Sequence, residues 1–325
     1  GMPMVPPTEV NNDNEHALPG QGRYLFPPST AATLNLAATA AQCARIWNGL
    51  DQPFADRCLA AAETAWQAAL ENPGIYAGNT PGVGGGNYPD ENLSDEFYWA
   101  AAELFITTGK EEYKEYLLSS KDFAAADAFD WGHVAPLGTI SLLSHETSLS
   151  AEQKAALQRA IIAYADELLK VQEQDGYKVL IDEDYPWGSN GLIMNNMLLV
   201  SMAYKLSGEA RYLDSVRLSM DYILGRNALN KSFVAGYGAY PMRHPHHRFW
   251  ANDPASGFPA PPAGALSGGP NFNPADPAAD AADLMSQPPS KRYLDDLQSF
   301  TTNEVAINWN APLVWVAAFL DQAGK

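Results

Sequence analysis

Twice in this chain an apolar helix ends on a glycine and a charged, amphipathic helix sets out in return. That repeat constrains the fold more than any other feature. The first instance runs through Thr108, Gly109 and Tyr113, and the second, about a hundred residues later, through Ser207, Gly208 and Tyr212. Repeated helical hairpins with one buried and one half-exposed member are what a closed ring of αα pairs requires, because inner helices pack on all sides while outer ones face water. Start signals place further helices. The Ala- and Leu-rich stretch from Ser29 to about Asn48 reads as a helix buried on much of its circumference, and Asp51 with Pro53 opens its hairpin partner. Ser94 is placed to cap SDEFYWAAAELFITTG, and Ser150 with Gln153 has the spacing of a capping box for a long helix reaching Gln172. Roughly nine helices are expected, whereas a ring of six hairpins needs about twelve. Period-two patterning is scarce, which argues against an α/β class and for an all-α one.

With 325 residues and 46% hydrophobic content, the chain can bury a large core. Its 38 acidic against 20 basic residues give a formal charge of −18, so nucleic acid and anionic membrane are poor partners, while a neutral polymer meets no such field. Only Cys43 and Cys58 occur, too few for a disulfide framework and not spaced like a zinc knuckle; both are expected on buried helix faces. Residues 1–28, rich in Pro, Asn and Gly, read as an irregular connection, and sequence is expected upstream of it. From Pro241 to Pro289 the chain loses helical periodicity, and 241–300 is expected to be a long loop lining a cleft.

The segments DYILGRNALNKSFVAGYG, HPHHRFW, GALSGGPN and YLDDLQSFTTNEVAINWNAPLVW, in this order, resemble the carboxyl-terminal signatures of family 9 glycoside hydrolases. RYLFPPSTAAT and SDEFYWAAAELFITTG are similar to that family too, so the resemblance covers essentially the whole chain. The Pro-rich loop looks most like the subgroup whose catalytic domain follows an immunoglobulin-like module. The resemblance implies an (α/α)6 barrel, here lacking its first helices, and inverting hydrolysis of β-1,4-glucan by a carboxylic acid and a carboxylate far enough apart to hold a water. It implies a secreted enzyme with no cofactor for its chemistry.

By motif position, Glu304 corresponds to the general acid. Thr301 and Glu304 also have capping-box spacing, and read without the flanking motif such a glutamate caps a helix. Asp295 corresponds to a second acidic catalytic-site position that supports the hydrogen-bond network. His246 and Arg248 match a His and an Arg that contact the sugar; read blind, HPHHR suggests a metal, but it lacks ordinary zinc spacing. Trp187 and Trp309 fall where sugar-stacking aromatics are expected, with Tyr88, Phe249 and Trp250 as further candidates, although burial in the core is the commoner fate of an aromatic. The family often carries calcium near PDENLSDEF. Asp95 and Glu96 match its acidic pair, with Glu91, Asn92 and Asp130 as additional oxygen donors, and the same pair equally suits a helix dipole.

One departure matters. The family holds its catalytic base in a DAGD-type motif, which is absent from this chain; DPAADAAD, from Asp276 to Asp283, is a superficial match in the wrong place. The base is therefore expected on an upstream segment, and the isolated chain is expected to be inactive. Two other readings compete: a glucan-binding protein that has lost catalysis, and a different (α/α)6 enzyme such as a polysaccharide lyase, against which the charge balance and NEVAINWN argue.

Overall fold

Eleven consecutive residues of one helix, Asp95 to Phe105, are buried, and the helix that follows buries only Tyr113 and Leu117. This alternation is the inner-and-outer pairing expected from the sequence. A computed structural model describes residues 27–78, 88–181, 184–247, 250 and 259–324. The described residues contain eleven α-helices, nine of them nine residues or longer, and no strand beyond isolated bridges. None is long and apolar enough to cross a membrane. The chain divides into two compact units at Ala160–Ile161.

In the amino-terminal unit, α1 (Thr30–Trp47) and α2 (Gln52–Glu71) form a hairpin, with Ser29 and Asp51 as their N-caps. Asp51 accepts from the Phe54 N–H at 3.0 Å, satisfying a donor that the first turn leaves free. α3 (Ser94–Thr108) packs against α1 and against α5 (Ala135–Ser144), while α4 (Glu111–Ser119) returns after Gly109. Gly109 takes φ +68 and donates its N–H to Phe105 O, the left-handed cap foreseen for it. Ser94 does not cap α3: it is the first helical residue, and its hydroxyl instead donates to Asn92 Oδ1 at 3.0 Å. α6 (Ala151–Gln174) does carry the expected capping box, Ser150 N–H to Gln153 Oε1 at 2.8 Å and Gln153 N–H to Ser150 Oγ at 3.2 Å.

The carboxyl-terminal unit is built around α7 (Ser189–Ser207), buried almost throughout, which packs on amphipathic α8 (Ala210–Ile223) and on α11 (Ile307–Ala323). Gly208 ends α7 at φ +73, repeating Gly109. The stretch 241–300 is not one uninterrupted loop. It holds α9 (Pro277–Ala281), two turns of 3-10 helix at Leu284–Ser286 and Pro289–Lys291, and leads into α10 (Phe300–Asn303). Asp276 caps α9 through the Ala279 N–H and Pro277 stands at its first position, a start signal too short to register as periodicity. Residues 1–26, 248–249 and 251–258 lie outside the described residues, so the expectations for the connection 1–28 and for part of the loop fall there.

Midway along α3, past the acidic pair Asp95 and Glu96 of its first turn, a further carboxyl group is buried. Glu103 is fully buried, pairs with Arg45 Nη2 and accepts from Gln42 Nε2, Trp99 Nε1 and Ser141 Oγ at 2.8, 3.1 and 2.6 Å. A buried charge this well surrounded fixes α1, α3 and α5 in register. Glu103→Ala leaves Arg45 without its partner and should destabilise the protein by ~3 kcal/mol, read as a lower urea midpoint at unchanged slope.

Candidate active site

The amino-terminal turn of α7 is where the site begins. Ser189 Oγ donates to Pro270 O at 2.6 Å, Asn190 N–H to Gly268 O at 2.9 Å, and Asn190 Nδ2 to Ser267 O at 2.9 Å, so the turn grips the segment Ser267–Pro270. That segment holds the joint between α10 and α11. Gly268 N–H donates to Glu304 O at 2.8 Å and Gly269 N–H to Thr302 O at 2.9 Å, while from the other side His246 N–H donates to Asn303 O at 2.8 Å. Gly269 sits at φ +90, and a Cβ there would lie 2.4 Å from Asn190 Cγ, so no side chain fits this clamp.

Glu304 occupies the joint itself, on extended backbone after α10. It is not the capping partner of Thr301. Thr301 donates both its N–H and its hydroxyl to Asp276, which also takes Ser299 Oγ, and the N-cap of α10 is Ser299. The Glu304 carboxyl instead accepts the indole N–H of Trp187 at 3.2 Å. Burial pushes its pKa up, and the Trp187 N–H and the charge of His246 pull partly against that shift. The outcome is a carboxyl group that holds its proton more readily than a free glutamate.

His246 is half-buried, and its Nδ1 bonds the carbonyl of Leu297 at 2.7 Å. A carbonyl only accepts, so Nδ1 carries the proton and Nε2 is left for other partners. The Phe300 ring lies between Trp187 and His246, with centroids at 6.0 and 5.7 Å. Asp295 accepts from Lys231 Nζ at 2.6 Å and from the backbone N–H groups of Arg243 and His244, the latter at 2.8 Å. Asn303 Nδ2 donates to His244 O at 2.6 Å, and the buried Tyr293 hydroxyl donates to Asn303 Oδ1 at 2.6 Å. Asp295 thus tethers the chain two residues before His246 to the helix joint that carries Glu304.

In the amino-terminal unit, the residues expected to hold calcium are arranged differently. Asp95 is buried, which opposes its ionisation, but hydrogen bonds from His133 and from the Val134 N–H outweigh that and hold its pKa below the usual range. His133, hydrogen-bonded first to Asp127 at 3.0 Å and also facing Asp95 at 3.6 Å, is pushed up to about 10 and is a cation at neutral pH. Glu96 is pushed up to about 9 by burial, then by its hydrogen bond with Asp90 and the charge of Asp95, so it is neutral. Glu91 is exposed, Asn92 Nδ2 donates to Asp95, and Asp130 Oδ1 turns back onto the Gly132 N–H. Among the described residues no group of three or more His, Cys, Asp or Glu side chains is arranged to hold a metal ion. Glu96 Oε2 is buried with no hydrogen-bond partner among the described residues, an open oxygen acceptor of the kind a hard cation takes.

The family model for glycosyl hydrolase family 9 matches residues 7–317. The chain is 46% identical over 329 residues to a cellulose 1,4-beta-cellobiosidase of Acetivibrio thermocellus and 39% identical over 335 residues to endoglucanase C of Cellulomonas fimi. These matches cover 93% and 100% of this chain. A solved structure of a Bacteroides ovatus GH9 protein superposes with a TM-score of 0.84 at 33% identity, over 99% of this chain. The chain belongs to glycosyl hydrolase family 9. It spans 37% and 29% of the two curated relatives and 57% of the solved chain. Its all-α architecture is that of the family 9 (α/α)6 barrel class.

Of the site residues expected for a family 9 enzyme, the structure brings Glu304, Asp295, His246 and Trp187 together in one unit; Arg248 and Phe249 lie outside the described residues. Trp309 packs onto backbone: a Cβ at Gly191, Gly188 or Gly268 would come within 2.2, 2.5 or 2.9 Å of its indole. Tyr88 belongs to the other unit, exposed, at φ +45, with its ring edge-on to Trp131 at 5.2 Å. Sequence reasoning missed Asp276, Asn303, Phe300 and Lys231. Only Asp276 left a local signal, its Asp-Pro helix start.

Two substitutions test this geometry. Trp187→Phe keeps a ring and removes the N–H, so the Glu304 pKa should rise; carboxyl-carbon NMR of the labelled chain, with Glu304→Gln identifying the resonance, reads the change, and an unmoved or lowered titration contradicts the bond. Gly191→Ala drives a methyl into Trp309 and should cost ~1–3 kcal/mol, less when combined with Trp309→Leu, as a double-mutant cycle of thermal unfolding will report.

Proposed function

We propose that Glu304 is the general acid of an inverting hydrolase acting on the β-1,4-glucosidic bonds of cellulose or a related β-glucan, and that this chain supplies the acid side of that site. The observation that carries the reading is the half-buried carboxyl of Glu304, protonated more readily than usual and fixed on a helix joint beside Trp187 and His246. In this reading Glu304 gives its proton to the glycosidic oxygen as the carbon–oxygen bond breaks, and the leaving glucan departs as a neutral alcohol. The Trp187 N–H then steadies the carboxylate that remains. The apolar faces of Trp187 and Phe300 suit the CH-rich face of a pyranose ring, and His246 Nε2 suits a sugar hydroxyl. The names of the two relatives, a cellobiosidase and an endoglucanase, support the substrate class.

Inversion also needs a carboxylate on the opposite face of the sugar, about 6.5–9.5 Å from the acid, to take a proton from the attacking water. We assign that base to polypeptide outside these 325 residues, in keeping with the share of its relatives that the chain spans. An insoluble polymer is met outside the cell, so an extracellular setting goes with this function.

In the full-length protein, Glu304→Gln should lower kcat/KM on unactivated β-1,4-glucan by at least ~10²-fold. Hydrolysis of a dinitrophenyl cellobioside, whose leaving group needs no proton, should fall far less. Polymer turnover close to wild type would remove Glu304 from the role.

A further inference from the structure

The expectation that both cysteines are buried on helix faces holds only in part, and what replaces it is more informative. Cys43 lies in the last third of α1 and Cys58 in the first third of α2; both side chains are free thiols, half-buried, with their Sγ atoms 3.2 Å apart. The short connection between the helices fixes this opposition. Leu50 and Asp51 donate their N–H groups to Trp47 O at 2.9 and 3.0 Å, Asp51 caps α2, and the Trp47 and Phe54 rings meet edge to face at 5.4 Å. These 325 residues hold no third cysteine, so neither thiol has a competing partner among them. Partial exposure leaves the pair within reach of a small reagent.

We propose that Cys43 and Cys58 are a covalent modification site, a dithiol that reacts with a low-molecular-weight disulfide to close a cross-link between α1 and α2. One protein thiolate attacks the small disulfide and releases one of its halves as a thiol. The second protein thiolate then attacks the resulting mixed disulfide and releases the other half. The two protein thiols lose two protons and two electrons, and the small disulfide takes up both and becomes two thiols. The bond closes a ring over residues 43–58 and restricts the unfolded chain. The hydrogen bond with Cys58, and then burial, keep the Cys43 thiol protonated beyond its ordinary range, so closure is slow at neutral pH and faster in mild alkali. This site is independent of the role proposed for Glu304, and none of its readouts depends on hydrolysis.

The reduced 325-residue chain, incubated with oxidised glutathione at about pH 8.5, near the ordinary thiol pKa, should become two hydrogens lighter and resist alkylation. Peptide mapping should then find Cys43 joined to Cys58 within one chain. Its thermal midpoint should rise by roughly 5 °C and return on addition of dithiothreitol. The midpoint of Cys43→Ser, which preserves size and polarity, should ignore the oxidant. Two thiols that remain alkylatable, a lasting glutathione adduct, a cross-link between chains, or a bond that leaves the midpoint unmoved would each overturn the proposal.

Discussion

Three backbone hydrogen bonds hold the residues around Glu304, two from Gly268 and Gly269 and one from His246, and the rest of the site is arranged so that they can form. They need a segment that approaches another backbone closely, which only glycine allows at position 269. They need that segment to be held in turn, and Ser189 and Asn190 hold it from a helix buried almost throughout. They need the His246 segment to stay in place, and Asp295 with Asn303 tethers it. A proton donor is useful only if its position is set before the substrate arrives, and here backbone hydrogen bonds set it, themselves held by short side chains from neighbouring segments.

The sequence discloses the helices and their alternation because burial leaves a periodic trace. Gly109 and Gly208 mark helix ends through a conformation that other residues resist, and the Ser150–Gln153 box is local chemistry over four residues. The placement of Ser94 went wrong for a local reason too, since its hydroxyl had a competing acceptor two residues away in Asn92. The assignment of Glu304 rested on resemblance, because its spacing to Thr301 pointed toward a cap; the structure removes the capping reading, since Thr301 bonds Asp276, twenty-five residues away. Contacts at such separation have no local signature, which is why Asn303 and Lys231 escaped the reading and why the Asp-Pro start at Asp276 did not disclose its bond to Thr301.

Buried carboxyl groups in the amino-terminal unit reach neutrality by different routes. Glu103 stays among four donors that include a guanidinium, Asp95 faces an imidazolium, and Glu96 keeps its proton. Desolvation is costly enough that each must be compensated, but the means differ with what lies within reach.

The seat of Trp309 has a consequence for how such chains diverge. Positions 188 and 191 and, far along the chain, 268 all crowd one indole. Natural variation at these sites should therefore be correlated: a lineage in which the tryptophan is replaced by something smaller loses the pressure for glycine at 191 and 268, though not at 188, whose φ of +80 favours glycine by itself, and a lineage that fills any one of them must first give up the tryptophan.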